Sequence, residues 1–167
     1  ILSFIDDKSV SLQMYKIQAS LIVQLLLCIY CKFFKAKSYM TKDLIKLLII
    51  EYQNYVTQVD LVYRDIEFMD GLNYVFVGLR HAGKSYLMFQ RIAQLMKQGH
   101  KREEILYFNF EDDRIDSLDV SDLDLIKTCY EEMYDSRPVF FLDEVQLVDR
   151  WEKFARRLAD QKYQAYI

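Results

Sequence analysis

Eight residues constrain this chain more than any others: Gly78-Leu79-Arg80-His81-Ala82-Gly83-Lys84-Ser85. They fit G-x-x-x-x-G-K-[ST], and they have the flanks that the pattern needs. Before them, Asn73-Tyr74-Val75-Phe76-Val77 is a β-branched and aromatic run set off by Asp70-Gly71, which predicts a buried strand. After them, Tyr86 to Met96 carries apolar residues at helical spacing, and Gly99 stands where a helix C-cap belongs. An ordinary turn that happened to contain Gly-Lys-Ser would need neither flank. The combination predicts a phosphate-binding loop.

The residue types supply the chemistry. Glycines let successive backbone N–H groups turn inward around an anion, and a helix opening at Lys84 adds the positive end of its dipole. Lys84 is placed to reach the β- and γ-phosphates, and Ser85 offers a hydroxyl to Mg²⁺. Gly78, Leu79, Arg80, His81, Ala82, Gly83 and Tyr86 complete the expected nucleotide contacts. Arg80 reads equally well as a phosphate contact or as an exposed loop charge.

Further along, Ile105 to Phe110 is apolar almost throughout, as parallel central strands are, and it ends in Glu111-Asp112-Asp113. Ser121-Asp122-Leu123-Asp124 reads as a capping box for a helix with Leu125, Ile126, Cys129, Tyr130 and Met133 on one side. Arg137-Pro138 breaks that helix. Val139 to Leu142 is a third buried strand, closing on Asp143-Glu144. Asp149 is placed to cap a helix with Trp151, Phe154, Ala155 and Leu158 inward. Tyr163 to Ile167 opens a further strand. Strands alternating with helices predict an α/β fold: a P-loop NTPase three-layer sandwich around a mostly parallel sheet, truncated, and preceded by an N-terminal helical segment.

In such sheets ligands gather beyond the carboxyl ends of the strands, where the loop and the acidic pairs fall together. Four apolar residues followed by Asp-Glu is a Walker B pattern. Asp143 would hold Mg²⁺, through its water shell, and Glu144 would orient and deprotonate a water for attack on the γ-phosphate. Asp112 and Asp113 divide evenly between feeling the γ-phosphate through metal-bound water and opening a solvated loop. Gln146 reads as a surface residue rather than a relay of nucleotide state, and Arg64 as a solvated charge rather than a nucleotide contact.

Upstream, Thr41-Lys42-Asp43-Leu44 can cap a helix carrying Leu44, Leu47, Leu48 and Tyr52. Asp60 to Phe68 is a connector with room for a short strand. The expected organisation is therefore a helical extension at 1–39, a helix and connector at 40–72, and the P-loop core at 73–167, incomplete at its C-terminus. The texture changes at Met40, as it would if the extension were not native to the domain. Residues 1–39 carry five Lys against two Asp, whereas the remainder is acidic, which gives no support to a nucleic-acid footprint in the main body. The run Leu21 to Cys31 is short for a membrane span and lacks a cleavage site after it. Three cysteines (Cys28, Cys31 and Cys129) make no disulfide framework and fit a cytoplasmic location.

These residues carry a resemblance. GLRHAGKSYLMFQ, ILYFNFEDDRI, VFFLDEVQLVDRWEKFARRLAD and the final QAYI resemble AAA-type ATPases of a poorly characterised bacterial and archaeal group, over about Met40 to Ile167. The resemblance implies that Gly78–Ser85 is Walker A, that Asp143 and Glu144 are Walker B, and that Asp112 sits in the acidic turn after the second strand. It implies ATP and Mg²⁺ as cofactors and self-association as a form of partnership. It also implies a C-terminal restriction-endonuclease-like domain, the one route by which nucleic acid would become a partner; a membrane is not expected. A sensor segment, a last strand and a lid would follow Ile167. The expected function is Mg-dependent ATP hydrolysis coupled to an unknown task. The alternatives are a nucleotide-dependent switch without turnover and a small-molecule P-loop kinase.

Overall fold

A computed structural model describes residues 40–115 and 118–167. The extension at 1–39, with its apolar run and the Cys28–Cys31 pair, lies outside the described residues. The first described element is helix α1, Lys42–Val56, capped as the sequence predicts: Leu44 N–H donates to Thr41 Oγ1 at 3.3 Å. Its inward face is phased differently from the expectation. Ile45, Leu48, Ile49 and Tyr52 are buried, whereas Leu47 is 49% exposed. The connector 57–70 contains no strand.

The sheet is parallel, in the order β1–β2–β3, with β1 at Ile105–Asn109, β2 at Val139–Asp143 and β3 at Ala165–Tyr166. Register runs from Ile105 opposite Val139 to Asn109 opposite Asp143, so the acidic strand ends stand side by side. Helix α2, Lys84–Lys97, covers the face carrying Tyr107, Phe141 and Tyr166: Phe89 meets the Tyr107 ring at 5.2 Å and Arg91 Nε donates to Tyr166 Oη at 2.7 Å. Helix α3, Val120–Met133, packs against α1 and against helix α4, Trp151–Asp160. On the other face of the sheet, Phe154 of α4 meets the Phe140 ring at 6.1 Å. Helices thus lie on both faces, because each strand is apolar on both sides.

The segment before the loop departs from expectation. Asn73 to Val77 runs beside β3, with Tyr74 N–H donating to Ala165 O at 3.0 Å and Ile167 N–H to Tyr74 O at 2.9 Å, yet it forms only an isolated parallel bridge. Nor is it buried: Val75 is 61% and Val77 91% exposed. Its aromatics do the packing. Tyr74 stacks on Tyr166 at 5.5 Å, while among the described residues no strand pairs its outer edge.

Two caps also shift. The box opening α3 is formed by Asp119 and Asp122, not by Ser121 and Asp124. Helix α4 starts after Arg150 in the left-handed region, with no side-chain cap from Asp149. No helix among the described residues is long and apolar enough to cross a membrane.

Candidate functional site

Gly83, at φ 85°, turns the chain from the loop into α2, a conformation that costs a residue with a Cβ and comes freely to glycine. No side chain caps the start of α2, and its first turn contains no acid. The N–H groups of that turn therefore face outward with the dipole's positive end behind them. They open onto a cavity of about 250 Å³ lined by Arg80, His81, Gly83, Lys84, Ser85 and Tyr86 from the loop side. The opposite wall is Asn109, Glu111, Asp143 and Glu144, from the ends of β1 and β2. The structure thus brings the loop and the acidic pair of β2 into one cleft. Gly78, Leu79 and Ala82 belong to the loop but not to the cavity wall; Leu79 is 85% exposed.

Lys84 Nζ lies 3.5 Å from Gly78 O, 3.4 Å from Leu79 O and 3.5 Å from Glu144 Oε1. These are long contacts that a closer acceptor can replace. Asp143 is 3% exposed, and its Oδ2 accepts from the Tyr107 hydroxyl at 2.8 Å. Burial, and then the charge of Asp143, push the Tyr107 hydroxyl far above its ordinary pKa, so it stays a donor. Glu144 follows in the left-handed region at φ 56°, and its Oε2 accepts from Gln146 Nε2. A non-glycine residue in that region is strained, and such strain gathers at functional positions. His81 shows the same feature at φ 60°.

Asp112 stands apart from this cavity. Its carboxylate accepts from Arg114 Nε at 2.9 Å, Arg114 Nη2 at 2.8 Å and the Tyr52 hydroxyl at 2.6 Å. Arg114 above all, helped by Tyr52, holds it well below the usual carboxylate range against the opposing effect of burial. Asp112 ties the turn after β1 to α1. Beside it a second cavity of about 410 Å³ shares Ser85, Asn109 and Asp143 with the first, and is walled by Tyr52, Tyr55, Phe89 and Tyr107.

Several participants have a part that the sequence did not assign to them. Arg64, exposed as the sequence suggests, also donates from Nη2 to Ala82 O at 3.1 Å and so braces the loop. Buried Gln90 of α2 holds Arg64 in place, accepting from its N–H and donating to its O, both at 2.8 Å. Contacts 26 residues apart leave no trace in local pattern. Asn109 and Tyr107 are different, because a lone Asn within an apolar strand is a visible signal.

The oxygen donors suit Mg²⁺. Ser85 and Asp143 line the same cavity, and among the described residues no group of three or more His, Cys, Asp or Glu could hold an ion alone. Mg²⁺ takes few protein ligands and completes its shell with phosphate and water.

The family model described as "AAA domain" matches residues 71–167. The chain belongs to the AAA domain family. As an AAA domain it is an ATP-binding core of the AAA ATPase type, which agrees with the loop and the cleft. It is similar to an uncharacterized protein of Methanocaldococcus jannaschii, 31% identical over 128 residues that make up 75% of this chain and 28% of the relative. An uncharacterized protein of Haemophilus influenzae is 32% identical over 115 residues, 65% of this chain and 26% of that protein. The chain therefore spans little more than a quarter of either relative's length. No solved structure gives a significant match.

Proposed function

We propose that this AAA core hydrolyses ATP with Mg²⁺, using Lys84 and Glu144 as its catalytic side chains and Ser85 and Asp143 as its metal ligands. One observation supports this most: the uncapped start of α2, Ser85, Asp143 and Glu144 all line one cavity. The N–H groups of the first turn of α2 and the Lys84 ammonium would bind the phosphates, and Arg80 stands at the same wall. Bound Mg²⁺ would neutralise charge on the β- and γ-oxygens. Glu144 would take a proton from water as its oxygen bonds to the γ-phosphorus. The bond from that phosphorus to the β–γ bridging oxygen breaks, and ADP leaves with phosphate. Glu144, which contacts Lys84 Nζ and accepts from Gln146 Nε2, would exchange those contacts for the water.

The roles of the remaining predicted contacts, Gly78, Leu79, His81, Ala82, Gly83, Tyr86 and Asp112, belong to the same proposal. Asp112 acts in it by fixing the turn after β1. So do the division at residues 39 and 72 and the coupling of hydrolysis to a restriction-endonuclease-like domain in the intact protein, through which nucleic acid would be reached.

The test is Glu144→Gln, measured for Mg-dependent phosphate release and for ATP binding. Turnover should fall roughly 10²–10⁴-fold, the usual worth of one oriented general base, with ATP still bound. Negligible turnover by parent and variant alike, with ATP bound by both, would instead favour a switch without turnover, and equal measurable turnover would remove Glu144 as the base.

A further inference from the structure

Arg80 and Lys84 are the side-chain cations lining the cavity, and each meets a carboxylate from the facing strand ends. Lys84 Nζ is 3.5 Å from Glu144 Oε1, and Arg80 Nη2 donates to Glu111 Oε1. The backbone that carries Glu111 is fixed, although the side chain itself is 48% exposed. Its N–H donates to Asn109 Oδ1 at 3.0 Å, and the N–H of adjacent Phe110 donates to Asp143 O at 3.0 Å. The turn that leaves β1 is thus tied to the ends of both strands, with Glu111 aimed at the loop. Carboxylate and phosphate oxygens present the same acceptor geometry to a guanidinium. Glu111 and an incoming phosphate would therefore compete for one fork of donors.

Resting on the nucleotide reading above, the geometry points to Glu111 as an affinity-setting residue that holds Arg80 until the phosphates of a nucleoside triphosphate take its place. It is a positioning residue, acting through Arg80. By pairing with Arg80 it offsets positive charge at the cleft and lowers the affinity for nucleotide. Glu144 plays the corresponding part for Lys84, but Glu144 is also the proposed base and so cannot report on competition alone. Glu111 can.

The experiment is a double-mutant cycle on the full chain: equilibrium binding of Mg-ATP to the parent, Glu111→Gln, Arg80→Ala and the double variant. Glu111→Gln should tighten binding roughly two- to fivefold, the scale set by exposed ion pairs, and Arg80→Ala should weaken it. In the Arg80→Ala background the Glu111 substitution should add nothing. Because Glu111 is 48% exposed, Glu111→Gln should melt at the parent's temperature without nucleotide. Unchanged or weaker binding by Glu111→Gln overturns the inference, as does a gain that persists without Arg80, which would be a general charge effect. A Lys84→Ala arm separates the two levels. If Lys84→Ala binds Mg-ATP like the parent, the phosphate-loop reading itself falls. If it loses binding while Glu111→Gln is silent, only the inference about Glu111 falls.

Discussion

Compare the turn that follows β1 with the turn that follows β2. Their last strand residues, Asn109 and Asp143, are register partners, and each turn carries a carboxylate for the scaffold and one for the loop. After β1, Asp112 is held by Arg114 and Tyr52 while Glu111 goes to Arg80. At the end of β2, Asp143 is held by Tyr107 while Glu144 goes to Lys84. Asp112 and Asp143 are held by protein donors and are the more buried of each pair, although Asp143 also lines the cavity. The loop carboxylates borrow cations that a triphosphate would claim. Asp112 thus serves the fold through Arg114 and Tyr52, whereas Asp143, held by Tyr107, is also a metal ligand in the proposal above.

Replacing one member at a time breaks that comparison. The largest effect should come from Glu144→Gln, in turnover, as set out above. Next is Lys84→Ala, which removes a charge-assisted contact to phosphate and should weaken ATP binding by about 1.5–3 kcal/mol, read by titration calorimetry. The scaffold side should answer in stability instead. Asp112→Asn should cost about 1–3 kcal/mol in denaturant unfolding, because Arg114 and Tyr52 lose their ionised acceptor. It should also flatten the acid limb of stability against pH. The folded-state pKa of Asp112 lies below its ordinary value of 3.8, so its contribution is complete above that value and is lost as pH falls below it. A variant whose acid limb matched the parent's would remove Asp112 from the scaffold. Smallest is Tyr107→Phe, expected to cost about 1 kcal/mol by leaving the buried Asp143 carboxylate one donor short, with thermal melting as the readout.

The sequence disclosed the loop, β1, β2 and the acid at each strand end, because each rests on a local signal. Glycines before Lys-Ser, apolar runs and acids that close them are visible without tertiary information. It also disclosed most of the inward faces of α3 and α4. What it concealed depends on long-range pairing. Residues 73–77 have the composition of a central strand, yet among the described residues they pair with β3 alone, and their valines stay exposed. The box at the start of α3 slipped by two residues because Asp119-x-x-Asp122 and Ser121-x-x-Asp124 satisfy the same spacing. The positive φ of Glu144 has no compositional mark, since glutamate is not a residue that chooses that region. That the exposed Arg64 also braces the loop was concealed, because its partner, Ala82, lies 18 residues away.

The account's central claim is that a triphosphate seats on the start of α2 beside Lys84, across the metal from Asp143 and Glu144. Equilibrium ATP binding, with and without Mg²⁺, to the parent and to Lys84→Ala tests it most directly. The account predicts saturable binding by the parent, tightened by Mg²⁺ and weakened at least about tenfold by the substitution, as loss of a charge-assisted hydrogen bond requires. Binding that neither the metal nor the lysine alters would contradict it.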